Sequence, residues 1–231
     1  MRGVWAIIVA AGRGRRFGSA KQFAALKGRP VLDWTLDAFE AHPEVDEIVL
    51  VLPDERDGAP FLGRHPKIGA VVRGGRRRQD SVRRGFARIR AGTGDVVLVH
   101  DGVRPLVSRE VISRVIREAR RSGAAIPVVP VEDTIKEVVR GKVARTVDRA
   151  NLYRVQTPQG FSYAVLDKAL GRAGRKKPAA TDEAALAERA GARVRVVEGD
   201  PGNIKDDPFG PENRGGVPWR IRSASGMTST A

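Results

Sequence analysis

Hydrophobic positions in this chain fall into short unbroken runs separated by amphipathic stretches. That is the alternation expected of strands buried on both faces of a sheet and of helices that cover them. Val4 to Ala10 is the first such run, and it stops abruptly at a Gly- and Arg-rich loop. From Pro30 to about Ala41, Leu32, Leu36 and Phe39 recur at helical spacing, with the proline in a favoured first-turn position. Glu47 to Leu52 predicts a second strand, ended by Pro53-Asp54, and residues 54 to 68 predict a loop. Ala70 to Val72 predicts a short third strand, and Val82, Phe86 and Ile89 a helix after Gly74-Gly75. Val96 to Val99 predicts a fourth strand. A helix from Ser108 to about Arg121 follows, with Ser108 as cap, Val111, Ile112, Val115, Ile116 and Ala119 inward, and Gly123 as stop. Ala124 to Val129 predicts a fifth strand, closed by Pro130.

Between Asp133 and Asp148 the pattern changes to a hairpin whose turn centres on Gly141. Both of its strands carry charge, so it does not bury itself well in the parent core; an arm reaching another subunit is the natural alternative. Leu152 to Thr157 reads as extended, Tyr163 to Leu170 as a helix, Asp182 to Ala190 as a helix capped by Thr181, and Arg193 to Glu198 as a last strand. From Asp206 onward Pro, Gly, Ser, Arg and Thr prevail without periodicity, which predicts an irregular or disordered tail. The expectation is one α/β domain over residues 1–205, an arm at about 133–149, and a tail over 206–231.

Composition changes this picture in two ways. A chain of 231 residues without cysteine is long enough to bury a core without disulfides, and fits a reducing, cytoplasmic setting. No stretch has membrane length, and the run behind Arg2 is too short and too closely followed by basic residues to be a signal peptide. A formal net charge of +15 raises the question of a polyanionic partner. The charge placement favours something smaller: Arg13 to Arg16, and Arg76 to Arg78 with Arg83 and Arg84, lie beside glycines in predicted loops, without an aromatic-rich sheet or a recognition helix. No nucleic-acid partner is expected.

The loop after the first run carries the candidate chemistry. Gly12 and Gly14 give backbone freedom while Arg13, Arg15, Arg16 and Lys21 concentrate positive charge, a combination suited to phosphate. Phe17 occupies the third glycine position of a dinucleotide fingerprint, and no Gly-Lys-Ser/Thr follows, so neither a Rossmann dinucleotide motif nor a Walker loop is present. An ordinary basic turn after a core strand is the competing reading. Asp101, just past the predicted fourth strand, stands where open α/β sheets bind ligands and is the best single candidate to hold a metal. His100 is either a general base or, more commonly for a lone histidine at a strand end, a hydrogen-bonded structural residue.

Several motifs stand in order: AAGRGRR with Lys21-Gln22, Gly74-Gly75 to Asp80-Ser81, HDGVRP, Asp133-Thr134, Thr146-Val147-Asp148-Arg149, Thr157-Pro158-Gln159, Thr181-Asp182-Glu183 and Asn203-Ile204-Lys205. From about Val4 to Lys205 the chain resembles the 2-C-methyl-D-erythritol 4-phosphate cytidylyltransferase family, within the sugar-nucleotide pyrophosphorylases. That resemblance implies a Rossmann-like, mostly parallel mixed sheet with a protruding dimerisation arm, Mg²⁺, and transfer from CTP to a sugar-alcohol phosphate in non-mevalonate isoprenoid synthesis. It implies that Ala10, Ala11, Gly12, Gly14, Arg15, Gly75 and Ser81 cradle CTP, and that Asp101 holds Mg²⁺. It implies that Arg16 and Lys21 stabilise the transition state, that Thr134, Arg149 and Lys205 position the acceptor, and that Arg104, Thr157 and Thr181 line the site. Arg76 departs from the Asp that relatives often carry, and DDPFGPENRGGVPW departs from their usual closing helix. Ribitol 5-phosphate cytidylyltransferases share most of these motifs and are the nearest alternative.

Overall fold

The computed structural model describes residues 3–12, 20–172 and 180–205. Its elements in chain order are β1 (Val4–Val9), β2 (Ala25–Leu26), β3 (Arg29–Pro30), α1 (Val31–Glu40), β4 (Glu47–Leu52), α2 (Ala59–Leu62), β5 (Ile68–Arg73), α3 (Arg78–Phe86), β6 (Val96–Asp101), α4 (Arg109–Ser122), β7 (Ala124–Pro130), β8 (Ile135–Val139), β9 (Lys142–Val147), β10 (Tyr153–Val155), β11 (Gln159–Ser162), α5 (Tyr163–Arg172), α6 (Glu183–Arg189) and β12 (Arg195–Glu198).

β6, β1, β4 and β5 lie side by side and parallel, which brings their carboxyl ends to one edge. Beyond β6 the sheet turns mixed: β11 pairs antiparallel with both β6 and β7, β10 antiparallel with β7, and β12 parallel with β7. The alternation along each central strand divides the core in two. Ala6, Ile8, Leu50 and Leu98 face α1 and α4 through Leu36, Phe39, Ile112 and Val115. Ile7, Val51, Val97 and Val99 face α3, α5 and α6 through Val82, Phe86, Leu166 and Leu186. Each fully buried Leu, Ile or Phe contributes about 1.5–3 kcal/mol, so the doubly covered strands are the stable base on which the loops at their carboxyl ends are mounted.

Several expectations change. Residues 54 to 68 are not simply loop: a short 3₁₀ turn and α2 bury Phe61 against the first core. Ser108 stands at the N-cap of α4 without a side-chain capping bond, whereas Gly123 ends that helix in the left-handed region at φ 87° as expected. The cap of α6 is Asp182, whose side chain accepts from the Ala185 N–H, and not the exposed Thr181. β11 had no forecast; it is short and contains Gly160, where a Cβ would lie 2.6 Å from Val115, so that α4 crosses it closely.

The hairpin is as expected. β8 and β9 pair antiparallel in a sheet of their own, joined by Arg140 and Gly141 with φ of 49° and 76°. Two consecutive positive φ values suit the primed two-residue turns that match strand twist. Val138, Val139 and Val143 are exposed on this arm. The 206–231 tail and the basic tract 174–178 lie outside the described residues. Among the described residues no helix is long and apolar enough to cross a membrane.

Two buried imidazoles give the fold a pH signature. His42 Nδ1 accepts from the Glu44 N–H at 3.2 Å, and burial lowers its pKa. Burial pushes His100 down to about 3. Folding shifts both toward the neutral form, while in the unfolded chain each takes up a proton near pH ~6.5. The unfolded state therefore binds more protons below that pH. This contribution is fully present above about pH 6.5 and is lost as the pH falls, by up to about 1.4 kcal/mol per pH unit from His100, with His42 acting in the same direction. Denaturant unfolding between about pH 7 and pH 5 should show this loss; a flat profile would contradict it.

Candidate active site

The carboxyl ends of β1, β5 and β6 meet around residues the sequence singled out. Ala10 continues the line of β1, its N–H donating to Val51 O at 2.8 Å, and a Cβ on Gly102 would lie 2.7 Å from that of Ala10. A Cβ on Gly74 would lie 2.1 Å from that of Ala11, so only glycine lets the turn after β5 close on the loop after β1. Gly75 N–H donates to Ser81 Oγ at 3.0 Å, and Ser81 Oγ donates to Arg77 O at 3.3 Å. These bonds tie the glycine pair to the first turn of α3. Gln22 Nε2 donates to Gly12 O at 3.0 Å, closing the far end of the basic loop and holding Lys21, its neighbour, at the loop's exit. Gly14, Arg15 and Arg16 lie outside the described residues.

Asp101 is the hub. It is the last residue of β6, inside the strand and not past it. Arg78 donates to its Oδ1 through Nε at 3.2 Å and Nη2 at 3.1 Å, Lys205 Nζ lies 3.0 Å from Oδ2, and Arg104 Nε lies 3.6 Å from Oδ2. Burial works against its charge, but Arg78 and Lys205 outweigh burial and hold the carboxyl well below the usual range. Burial likewise opposes the Arg78 charge, and Glu183 with Asp101 overcomes it, keeping the guanidinium firmly protonated. Arg78 Nη1 also bonds Glu183 Oε2.

Beneath this hub lies a neutral network. Thr157 Oγ1 accepts from the Asp101 N–H at 3.2 Å and meets His100 Nδ1 at 3.0 Å, while His100 Nε2 reaches Arg104 O at 3.3 Å. A carbonyl can only accept, so Nε2 carries the proton and the Thr157 hydroxyl donates to Nδ1. His100 is therefore a structural strut, as its full burial requires, and has no free nitrogen for general-base work. Asn203 is fully buried: its Nδ2 donates to Thr157 O at 2.8 Å and its carbonyl accepts from Arg104 Nη1 at 2.7 Å. This anchor sets Lys205, two residues on, over Asp101.

Lys205, Arg104, Thr157 and Asp101, all singled out in the sequence, thus lie together. Thr134 and Arg149 are exposed on and beside the arm, and Thr181 is exposed ahead of α6. Arg76, the departure noted above, is exposed. Sequence reasoning missed Arg78 and Glu183. The triplet 76–78 reads in sequence as a basic cluster, and only its place at the start of α3 turns its last member toward Asp101 and Glu183. Glu183 stood in a quoted motif without a role.

The mixed α/β sheet is that of a nucleotidyltransferase, and the carboxylate on which Arg78, Arg104 and Lys205 converge lies at the carboxyl end of its strand β6. The family model for 2-C-methyl-D-erythritol 4-phosphate cytidylyltransferase matches residues 4–206, and the chain belongs to that family. It is a CTP-dependent cytidylyltransferase of isoprenoid biosynthesis, acting on CTP and a sugar phosphate. It is 41% identical over 211 residues to the 2-C-methyl-D-erythritol 4-phosphate cytidylyltransferase of Syntrophotalea carbinolica, covering 87% of this chain and 90% of that one. It is 44% identical over 227 residues to the bifunctional enzyme IspD/IspF of Paramagnetospirillum magneticum, covering 95% of this chain but only 59% of that one. The crystal structure of 2-C-methyl-D-erythritol 4-phosphate cytidylyltransferase from Thermus thermophilus superposes with a TM-score of 0.72 at 39% identity, covering 90% of this chain and 94% of that one. The mixed, mostly parallel sheet expected from the sequence is the fold of these relatives.

Proposed function

We propose that this chain joins CTP to 2-C-methyl-D-erythritol 4-phosphate, releasing pyrophosphate, at the site around Asp101. The observation that carries this reading is the convergence of Lys205, Arg104 and Arg78 on one ionised carboxylate at the end of β6. A phosphate monoester with second pKa near 6 is already largely dianionic at neutral pH, so its attack on the α-phosphorus needs no protein base. The protein's task is to hold two anions together and to neutralise charge growing on the leaving pyrophosphate. Ala10, Ala11, Gly12, Gly14, Arg15, Gly75 and Ser81 form the nucleotide cradle in this reading, and Arg16 with Lys21 face the triphosphate. Lys205 meets the acceptor phosphate, with Arg104, Thr157 and Thr181 around it. Thr134 and Arg149, on the arm, complete the acceptor site of a partner copy in a homodimer.

The donor set suits Mg²⁺. Among the described residues no cluster of three or more His, Cys, Asp or Glu could cage a metal, but Mg²⁺ beside phosphates takes only one or two carboxylates, and Asp101 supplies one that is ionised. When bound, Mg²⁺ would offset phosphate charge as a Lewis acid. We place the enzyme in the cytoplasm, with neither nucleic acid nor membrane as partner. The direct test is pyrophosphate release from CTP with methylerythritol phosphate or ribitol phosphate, with and without chelator. Turnover with the first acceptor and its loss in chelator are expected; equal turnover of CTP, ATP, GTP and UTP, or full activity in chelator, would refute the reading.

A further inference from the structure

Asp101 is held asymmetrically. Arg78 places two donors, Nε and Nη2, on Oδ1 alone, while Oδ2 faces Lys205, whose side chain is 53% exposed. The third nitrogen of the same guanidinium is bonded to Glu183 Oε2, and the Glu183 side chain is 0% exposed. A flat guanidinium shared by two carboxylates cannot rotate without breaking one set of bonds. Glu183 reaches this position because Asp182 caps α6 and Gln159 holds the same turn, its Oε1 accepting from the Ala184 N–H at 3.0 Å.

The arrangement is costly for a mere stabilising contact. Glu183 Oε1 is buried without a hydrogen-bond partner, and buried ion pairs commonly add little net stability relative to apolar packing. Its use is clearer in the site. An Arg beside a triphosphate, left without a fixed partner, turns to the phosphates; Glu183 keeps it on Asp101.

We propose that Arg78 and Glu183 are positioning residues for cytidylyl transfer, Glu183 holding the guanidinium and Arg78 turning Oδ1 of Asp101 inward so that Oδ2 alone is presented to the ligands. This rests on the reading of Asp101 as the carboxylate that meets the metal–nucleotide complex. It assigns a role to a member of the basic triplet and to the first residue of α6, neither of which touches substrate.

The test compares Glu183→Gln, Arg78→Gln and Arg78→Lys with the wild-type protein by thermal melting, by kcat and KM, and by binding of Mn²⁺·CTP followed through the Mn²⁺ paramagnetic signal. Glu183→Gln keeps shape and an acceptor oxygen and is expected to fold. Glu183→Gln and Arg78→Gln should lower kcat and weaken Mn²⁺·CTP binding by about 10- to 100-fold, the usual cost of losing a group that orients a metal-facing ligand. The KM for the acceptor should change less. Arg78→Lys keeps the charge without the fork and should fall between Arg78→Gln and wild type. Wild-type kcat and Mn²⁺·CTP affinity in folded variants would overturn the proposal, as would losses no larger than the unfolded fraction or failure of both Glu183→Gln and Arg78→Lys to fold. If the wild-type protein releases no pyrophosphate, the functional reading fails instead, and the Mn²⁺·CTP comparison decides the positioning role by itself.

Discussion

Replacing Lys21 with Ala lowers kcat by roughly 10²-fold or more while the fold persists, the scale on which enzymes lose transition-state charge stabilisation. Lys21 begins a single 3₁₀ turn, Lys21–Phe23, at the exit of the basic loop. Its neighbour Gln22 is buried and bonded back to Gly12, a crosslink that anchors the turn. With that crosslink kept, removing the ammonium is expected to leave the scaffold standing and, in the proposed reading, takes away one of the charges that meet the triphosphate. Lys205→Ala behaves differently. In the proposed reading that residue meets the acceptor phosphate, and its loss mainly raises the KM for the acceptor. Steady-state kinetics on variants that melt like the wild type separate the two, and an unchanged kcat in folded Lys21→Ala would refute the role.

Mixing inactive Lys21→Ala with inactive Arg149→Ala restores CTP turnover once subunits exchange. The arm stands apart from the main sheet, and its Val138, Val139 and Val143 are 52%, 53% and 62% exposed. A two-stranded ribbon with open edges and apolar exposure is a poor free element, whereas pairing across a two-fold axis covers both copies at once. Arg149 at its base then serves the partner's acceptor. In a mixed dimer one site carries both lesions and the other carries neither, so up to half of that dimer's sites regain activity. If each site were built from one chain, every site would keep a lesion. Proven exchange without recovery would exclude the shared arrangement.

What was legible in the sequence is what depends on local pattern. β1, β4, β6 and β7 are apolar in nearly every position because both faces of the sheet are covered, and such runs announce themselves. The arm was equally plain, since Arg140-Gly141 supplies the turn and charge marks both strands. The motifs around Asp101, Lys205, Arg104 and Thr157 carry the resemblance to the family. β11 was missed because four residues containing a glycine carry no period, and what makes them a strand is the gap between β6 and β7 that they fill.

Sequence by itself determined the layered α/β class, the arm and the glycine-rich basic loop, since each follows from the order of apolar, polar and turn residues along a few neighbouring positions. Only the tertiary structure decided that Asp101 belongs to β6, that His100 is a neutral strut, and that Arg78 joins Asp101 to Glu183. Residues 78, 101 and 183 lie far apart in the chain, and a charge in a loop reads the same whether it faces solvent or a buried carboxylate. Which of these it faces is set by desolvation and by the packing of α3 and α6 on one side of the sheet, and those are properties of the assembled core.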